Sequence, residues 1–388
     1  MAVPALSGAG WTAIDTPELH VGAGLLDDLG SAVAALGIDR PLLVSDRTVA
    51  AAGWVDRALH SLRRAYCDPP SWLQATPDPD AALVERCRKV LQDKRCDGLV
   101  AVGGGSVIDL AKAAAGLAVH PGRLTDYEGL GGFTRPGLPV VAVATTPPSG
   151  AELSRHAVVA DAAGRKFAVS GRWLAPRLVL VDCDTLATVS TDVVIDSVLD
   201  SMLHAIEAYL ARAASPYTDI CARIAVGTLA SVAVPTIVGG DRSGTPALVS
   251  GCLAAGLAMI NANAGVVHAL GYPLTSQHGL PHGRANALVA PAALRALAPA
   301  VPDRYAELGR LLTADESTDA AEAFLTWRTE LGVSATLSGY GISLADLPQL
   351  EAAATAYRPV LSNARRTFTE AQLGNLYRSA WAESETVP

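Results

Sequence analysis

Near residue 190 the hydrophobic rhythm of this sequence changes, and the change limits the folds open to it. Before it, short apolar runs such as "RPLLVSD" (40–46), "GLVAVGGG" (98–105), "LPVVAVATT" (138–146) and "LVLVDCDTL" (178–186) alternate with amphipathic segments over 49–66 and 82–96. Runs of this length suit strands buried on both faces, and strands alternating with helices imply crossovers and a parallel sheet. "AVVAD" (157–161) and "KFAVS" (166–170) are strand-like by the same Val content. After it come "DSVLDSMLHAIEAYLARAA", "SGCLAAGLAMINANAGVVHAL", "ANALVAPAALRAL" and "TEAQLGNLYRSAWAE", which are too long and too rich in Ala and Leu for strands. The expectation is an α/β domain over 1–187 followed by an all-helical domain over 188–388, with the Ser/Thr/Asp group of "LATVSTD" (186–192) placed to cap the first helix.

Two domains also suit the length, since 388 residues exceed what one core ordinarily holds. Half the residues are hydrophobic and 18% are charged, which excludes a disordered chain, and the net charge of -8 gives no electrostatic ground for a nucleic acid or an acidic membrane as partner. The cysteines at 67, 87, 96, 183, 221 and 252 form no C-x-x-C pair, so neither a zinc knuckle nor a secreted disulfide framework is indicated. The first twenty residues lack a basic stretch followed by an apolar one, and no segment runs to about twenty apolar residues without a break or a charge. The expectation is a cytoplasmic protein whose partner is a small molecule.

Gly103, Gly104, Gly105 and Ser106 stand between a buried strand and a helix. Such a turn lets the backbone approach a pyrophosphate, and the free amides and positive end of the helix stabilise its charge. It is neither G-x-G-x-x-G nor a Walker A motif. Asp46 ends an earlier strand, where a carboxylate accepts hydrogen bonds from an adenosine ribose and repels a 2'-phosphate; the other reading is an ordinary helix N-cap. The first favours NAD over NADP in a Rossmann-like dinucleotide-binding domain. In the helical half, Asp200 and His204 are four apart and share a helix face, while His268 and His282 belong to the segment "HALGYPLTSQHGLPHG". Together they are a candidate three-His-one-Asp site, a donor set that suits Fe(II), Zn(II), Co(II) or Ni(II) better than Mg(II) or Ca(II).

These segments resemble the iron-containing (group III) alcohol dehydrogenase family over nearly the whole chain. "GGGSVIDLAKA" is similar to its pyrophosphate loop, "ATTPPSGAE" to its "TTAGTGSE" segment, and "LDSMLHAIEAY" to "GMDALTHAIEAY". "GVVHALGYPLTSQHGLPHGRANAL" resembles "GxVHAxAHPLGxxxxxPHGxANA", and "SNARRTFTEAQLGNLYRSAW" resembles "NPRxxTxEDIxxxxxxAW". The resemblance implies that Asp200, His204, His268 and His282 hold one Fe(2+), or Zn(2+), in the interdomain cleft. It further implies that Asp46, Gly103 to Ser106, Asp109, Thr145, Thr146 and Ser149 hold NAD(H), with NADP(H) less favoured. The implied activity is hydride transfer between nicotinamide and a small alcohol or aldehyde, in a homodimer or larger homo-oligomer.

The sequence departs from the family pattern where a histidine commonly follows the third ligand by four positions; here that residue is Tyr272, and His278 is the other candidate for the proton path. The loop residues Pro147, Pro148 and Ala151 replace a Gly/Thr/Ser-rich stretch. By the resemblance, His156, Met259, Ala264, Tyr272 and "AYRPVLS" line the substrate pocket. Arg358 there, with Arg172 as a weaker candidate, suggests a small anionic aldehyde such as phosphonoacetaldehyde or a carboxylated semialdehyde, unless Arg358 faces solvent. A maleylacetate-reductase-like enzyme is the nearer alternative, although that branch is expected to lack the full ligand set. A dehydroquinate-synthase-type cyclase is the further one, although its phosphate-gripping pocket needs several lysines and the lysines here are few.

Overall fold

The computed structural model describes residues 11–382 apart from Asp15, Cys67 and positions 316, 317, 334 and 335, so the N-terminal decapeptide and Cys67 of the sequence argument lie outside the described residues. In chain order its first part runs β1 (Glu18–Gly22), α1 (Leu29–Ala35), β2 (Pro41–Val44), α2 (Arg47–Ala51), α3 (Trp54–Ala65), β3 (Ser71–Trp72), α4 (Ala81–Asp93), β4 (Gly98–Gly103) and α5 (Gly105–Ala118). There follow β5 (Gly129–Leu130), β6 (Val140–Ala144), β7 (His156–Ala160), β8 (Lys166–Ser170) and β9 (Leu178–Asp182). Six strands form a parallel sheet in the order β1-β9-β6-β4-β2-β3.

The apolar runs sort by alternation. Leu43, Val100, Val102, Val141, Val143, Leu178 and Leu180 point into one core with α1 and α3, while Leu42, Val44, Leu99, Ala101, Ala142, Ala144, Val179 and Val181 point into another with α4 and α5. Both faces are covered, which is why these strands read as unbroken hydrophobic runs. The chain leaves β2 towards the first core and leaves β4, its sheet neighbour, towards the second. This divergence opens a crevice at the carboxyl ends of β2 and β4, where α/β sheets bind ligands.

Two local expectations need correction. The single helix expected over 49–66 is two, because Gly53 (φ 86°) takes a left-handed turn between α2 and α3. "AVVAD" and "KFAVS" are strands, yet they pair antiparallel with each other and form a separate three-stranded sheet with β5. The connection between them is too short for a parallel crossover, and the Asp161 carboxylate fixes it by accepting the N–H groups of Ala163 and Arg165.

From Thr191 the described residues are helical apart from turns and one isolated bridge: α6 (Thr191–Leu210), α7 (Pro216–Ile237), α8 (Thr245–Ala262), α9 (Val266–His278), α10 (His282–Leu297), α11 (Pro302–Thr313), α12 (Ala320–Glu330), α13 (Leu347–Thr355), α14 (Arg358–Leu361) and α15 (Glu370–Ala382). Ser190 occupies the N-cap position of α6 without a side-chain capping bond. α6 runs through the middle of the bundle and is buried on every side from Val198 to Leu210, packed by α7, α8 and α10. α8 joins the two parts: Val249 and Leu253 enter the sheet core while Leu248, Cys252, Ala255 and Ala258 enter the helical one. α7 and the segment Arg242–Ala262 are long and apolar enough to span a membrane, which the sequence reading did not anticipate. α7 buries the stripe Ala222, Ala225, Val226, Leu229 and Ala233 in the bundle and leaves Ile220 and Ile224 exposed on its other side.

Candidate active site

Helical spacing builds half of the polar centre. On α6, Asp200, His204 and Glu207 follow one another at four and three residues and so face the same way. His268 on α9 and the first residue of α10, His282, complete it. The Nε2 atoms of His204, His268 and His282 stand 3.7, 3.6 and 3.7 Å from Oδ1 of Asp200. A tetrahedral ion with bonds of about 2.1 Å keeps its ligand atoms about 3.4 Å apart, close to these separations from Asp200, and the donor atoms of Asp200, His204 and His268 all lie within 4.8 Å of one another. Nε2 of His268 is buried and has no hydrogen-bond partner, an expensive state for a polar atom that a metal ion would relieve. The residues therefore fit the ion that their donor chemistry suggests.

The outer atoms of the ligands are held as well. Nδ1 of His268 donates to Oε2 of Glu207 at 2.6 Å, and the same carboxylate accepts the N–H groups of Gly265 and Val267 at the start of α9. Gly265 has no room for a side chain because a Cβ there would lie 2.9 Å from Oε1 of Glu207. Asn286, one turn after His282, donates to Oδ1 of Asp200 and stands 3.2 Å from Nε2 of His282. A carboxylate on the outer nitrogen fixes the orientation and tautomer of a metal-binding imidazole, as Glu207 does for His268, whereas Asn286 touches the inward-facing atoms of Asp200 and His282.

The charges suit a cation. Burial alone would raise the Asp200 carboxyl, but the three histidines overcome it and hold Asp200 below the usual carboxylate range. Burial pushes His204 down and His282 down to about 4, leaving neutral rings. His268 differs: its burial is outweighed by the Asp200 carboxylate that faces it and by its hydrogen bond to Glu207, which raise it to about 9. One anionic oxygen and neutral nitrogens are what a divalent ion needs, and His268 must give up a proton to take part.

The open side is aromatic. The His282 side chain is 34% exposed, against 9% and 1% for His204 and His268. Tyr272 stacks on His282 with ring centroids 5.3 Å apart and meets Tyr357 at 4.7 Å. Burial pushes both phenols up, Tyr272 furthest. Lys166 of β8 is near enough to help depress His282, and its ammonium pairs with Asp78 at 2.8 Å.

The crevice at the strand ends is a cleft of about 1100 Å³ lined by Asp46, Gly104, Gly105, Ser106, Thr145 and Thr146 among others. The first N–H groups of α5, which a helix cannot pair internally, open into it. Gly103 is required by packing, since a Cβ there would lie 2.5 Å from Val107. Asp46 caps α2 through Val49, as its N-cap reading expects, and it also lines the cleft.

Loop 147–156 joins cleft and metal ligands. Ser201 on α6 donates to Pro148 O, Nδ1 of His204 faces the Ser149 backbone, and Lys112 on α5 donates to Ala151 O at 2.7 Å and to His156 O. Asp109, expected at the cofactor, instead pairs with Lys112 at 2.9 Å and accepts Val158 N–H, fastening β7 to α5.

Other expected site residues are placed elsewhere. His278 sits in the last turn of α9 near Asp346, with no bond or ring contact to the histidine cluster among the described residues. Arg358 is exposed on α14; its neighbour Tyr357 reaches the site instead. Arg172 lines a different cavity, with Arg155 and Arg177. His156 holds Ser170 through Nδ1 at 2.7 Å, and its pKa is lowered by burial and by Lys112. Met259 lies half-buried near the end of α8, and Ala264 is buried with its carbonyl accepting from Asn363. Glu207, Asn286 and Lys166 were not singled out from sequence, although helical spacing to a ligand marks the first two, and Tyr357 entered only as part of "AYRPVLS".

Residues 16–183 match the family model described as iron-containing alcohol dehydrogenase, and residues 194–381 match its C-terminal counterpart, Fe-containing alcohol dehydrogenase family, C-terminal. The chain belongs to the iron-containing alcohol dehydrogenase family. Within that family it is 30% identical over 384 residues to long-chain-alcohol dehydrogenase 1 of Geobacillus thermodenitrificans (strain NG80-2), covering 96% of this chain and 97% of that protein. It is 34% identical to the 4-hydroxybutyrate dehydrogenase of Cupriavidus necator over 84% of this chain and 88% of that one. Among solved structures, 1,3-propanediol oxidoreductase superposes with a TM-score of 0.90 at 28% identity, over 95% of this chain and all of that one. This alcohol dehydrogenase family member therefore shares fold and length with its relatives.

Proposed function

We propose that the protein is a metal-dependent, NAD(H)-linked alcohol dehydrogenase that interconverts a small alcohol and its aldehyde. The observation that carries the reading is the convergence of three Nε2 atoms on one Asp200 oxygen, beside a cleft lined by the first turn of α5. When bound, a divalent ion supplies Lewis acidity at the substrate oxygen and nicotinamide supplies or takes the hydride.

The protein's own groups bind, orient and exclude water. Asp200, His204, His268 and His282 would hold the ion, and Glu207 fixes the His268 ring by its outer nitrogen. Gly104, Gly105 and Ser106 would offer backbone donors to the cofactor pyrophosphate, and Asp46, which lines the same cleft, would accept from its ribose, which favours NAD. Tyr272 and Tyr357 wall the substrate side and keep bulk water from the reacting carbon. With its phenol held protonated by burial, Tyr272 contributes a fixed O–H rather than a titrating base.

This wall carries no guanidinium. An uncharged substrate carbon chain suits it best, and the anionic aldehyde suggested by Arg358 loses that support because Arg358 is exposed. A second reading, a carboxylated semialdehyde, is favoured by the likeness to a 4-hydroxybutyrate dehydrogenase and by the cation Lys166, whose charge is felt at His282. The test is metal loading with Fe(II) or Zn(II) followed by absorbance of reduced nicotinamide against an aldehyde panel. NADH consumption with at least one small aldehyde is expected, and turnover with none of the panel in the loaded protein would overturn the reading.

A further inference from the structure

The carboxamide of Asn286, fully buried on α10, is used on one side only. Nδ2 stands 3.3 Å from Oδ1 of Asp200 and 3.2 Å from Nε2 of His282, two atoms that are 3.7 Å apart. Oδ1 has no hydrogen-bond partner and lies against α9, where a Cβ on Gly271 would lie 1.8 Å from it. An unpaired buried oxygen is costly, so the amide is held this way round by what its nitrogen does. Turned over, it would set its oxygen against the Asp200 carboxylate, two acceptors with no proton between them.

Backbone contact brings the amide there. A Cβ on Gly283 would lie 1.9 Å from the Asp196 carbonyl oxygen and 2.9 Å from the Asp200 amide nitrogen, so α10 rests directly on α6 at this glycine. His282 and Asn286 flank it four residues apart and share a helix face. Arg284 fastens the same contact through Asp196 at 2.8 Å.

An amide nitrogen carries two hydrogens and only donates. Beside His282 it therefore makes Nε2 the acceptor and leaves the ring hydrogen on Nδ1, the tautomer whose inner lone pair is free for a divalent ion. Glu207 sets the tautomer of His268 from its outer nitrogen, and no carboxylate among the described residues does this for His282. The same amide occupies one lone pair of Asp200 Oδ1 and so fixes the rotation of that carboxylate.

We propose that Asn286 is a positioning residue of the metal centre: its amide, pinned by Gly271, holds the Asp200 carboxylate and the acceptor nitrogen of His282 ready for the ion. On loading, the ion takes the His282 lone pair, so the amide releases that ring and keeps Asp200. The proposal rests on the reading of this cluster as a metal centre. The experiment measures cobalt(II) affinity by chelator competition, without substrate or cofactor, in wild type, Asn286→Ala, Gly271→Ala and the double variant. In parallel, nitrogen-15 NMR of the histidine-labelled, chelator-treated full chain at about pH 8, above the ordinary titration of imidazole, reads the tautomer of each ring.

Asn286→Ala should weaken cobalt(II) by about 10–100-fold. Gly271→Ala keeps the carboxamide but displaces it, so it tests the same point without opening a cavity, and a smaller loss is expected. The double variant should bind no more weakly than Asn286→Ala, because the added methyl group enters the space the amide has left. Nε2 of His282 should resonate as an unprotonated nitrogen in wild type and shift towards the other tautomer in Asn286→Ala, a change that a packing role would not produce. Equal cobalt(II) affinity in wild type and Asn286→Ala, an unchanged tautomer, or additive losses in the double variant would each overturn the proposal while leaving the metal-centre reading in place. A wild-type chain that binds no cobalt(II) would overturn both.

Discussion

Glu207 holds His268 by its outer nitrogen at 2.6 Å while the inner nitrogen of the same ring faces Asp200 at 3.6 Å. The carboxylate therefore sets the position and basicity of a ring that would be a ligand, from the side away from Asp200. Glu207→Gln leaves one acceptor oxygen, enough for the N–H of Gly265 or of Val267 but not both, and weakens the charge-assisted bond to the ring. Metal affinity should fall by about 10–100-fold, measured by chelator competition. A loss below threefold would show that α9 alone positions the ring.

The raised pKa of His268 gives a pH signature. In the metal-free protein its folded value is about 9 against an ordinary 6.5, so the ring binds its proton more tightly folded than unfolded. That stabilisation is complete below about pH 6.5 and is lost as pH rises through about 9. The melting temperature of chelator-treated protein should therefore decline across this window. Metal affinity should run the other way, rising by about tenfold per pH unit towards 9, because the ion must displace the proton. Affinity independent of pH between 7 and 9 would mean that His268 is already neutral.

Tyr272 lies where the family pattern places a histidine, and its phenol is pushed up by burial and then by Asp200. Such a group does not titrate between pH 6 and 9. Tyr272→Phe should leave the pH dependence of kcat/KM unchanged and reduce kcat by less than about 100-fold, the lower range for losing a general acid or base. Tyr272→His should add a limb in the neutral range, where imidazole titrates. Loss of an existing limb in the Phe variant would show instead that the phenol gives up its proton during turnover.

How far these features could be read from sequence follows from the reach of each signal. Asp200 with His204 is a spacing on one helix, and the apolar runs of β2, β4, β6 and β9 declare burial on both faces, so both are legible locally. The pairing of β7 with β8 outside the main sheet depends on a turn geometry that Val content does not encode. Asp109 lies in a glycine-loop motif, yet its carboxylate turns to Lys112 and Val158, because side-chain direction on α5 is set by what packs there. Arg358 drew notice by its charge, whereas the ring beside it, Tyr357, is the one folded inward. Tyr357 is the N-cap of α14 and Arg358 its first residue, so they point in different directions, and the tertiary contacts of α14 with α9 decide which faces the cleft.

Lys112 is fully buried and serves Asp109, Ala151 O and His156 O together. Lys112→Met removes the cation and leaves a mostly buried carboxylate and two carbonyls without it, at a cost of about 3–5 kcal/mol. Denaturant unfolding should show that loss, and Asp109→Asn in the same chain should recover part of it. Because loop 147–156 also carries Pro148 and Ser149 against α6, metal affinity should fall alongside stability. A variant of unchanged stability would place the ammonium in solvent.

Charge selectivity remains to be assigned between Arg358, Lys166 and neither. Butanal and succinate semialdehyde share a four-carbon chain and differ by a carboxylate, so their ratio of kcat/KM isolates that charge. Arg358→Ala should leave the ratio within about twofold, because an exposed guanidinium with no fixed partner contributes little through screened solvent. Lys166→Met should shift the ratio towards butanal by about tenfold if the ammonium leaves Asp78 for the substrate, since a charge-assisted bond is worth about 1.5–3 kcal/mol. An unchanged ratio in both variants, with butanal preferred in the wild type, identifies the Tyr272 and Tyr357 wall as the sole selector and the substrate as uncharged.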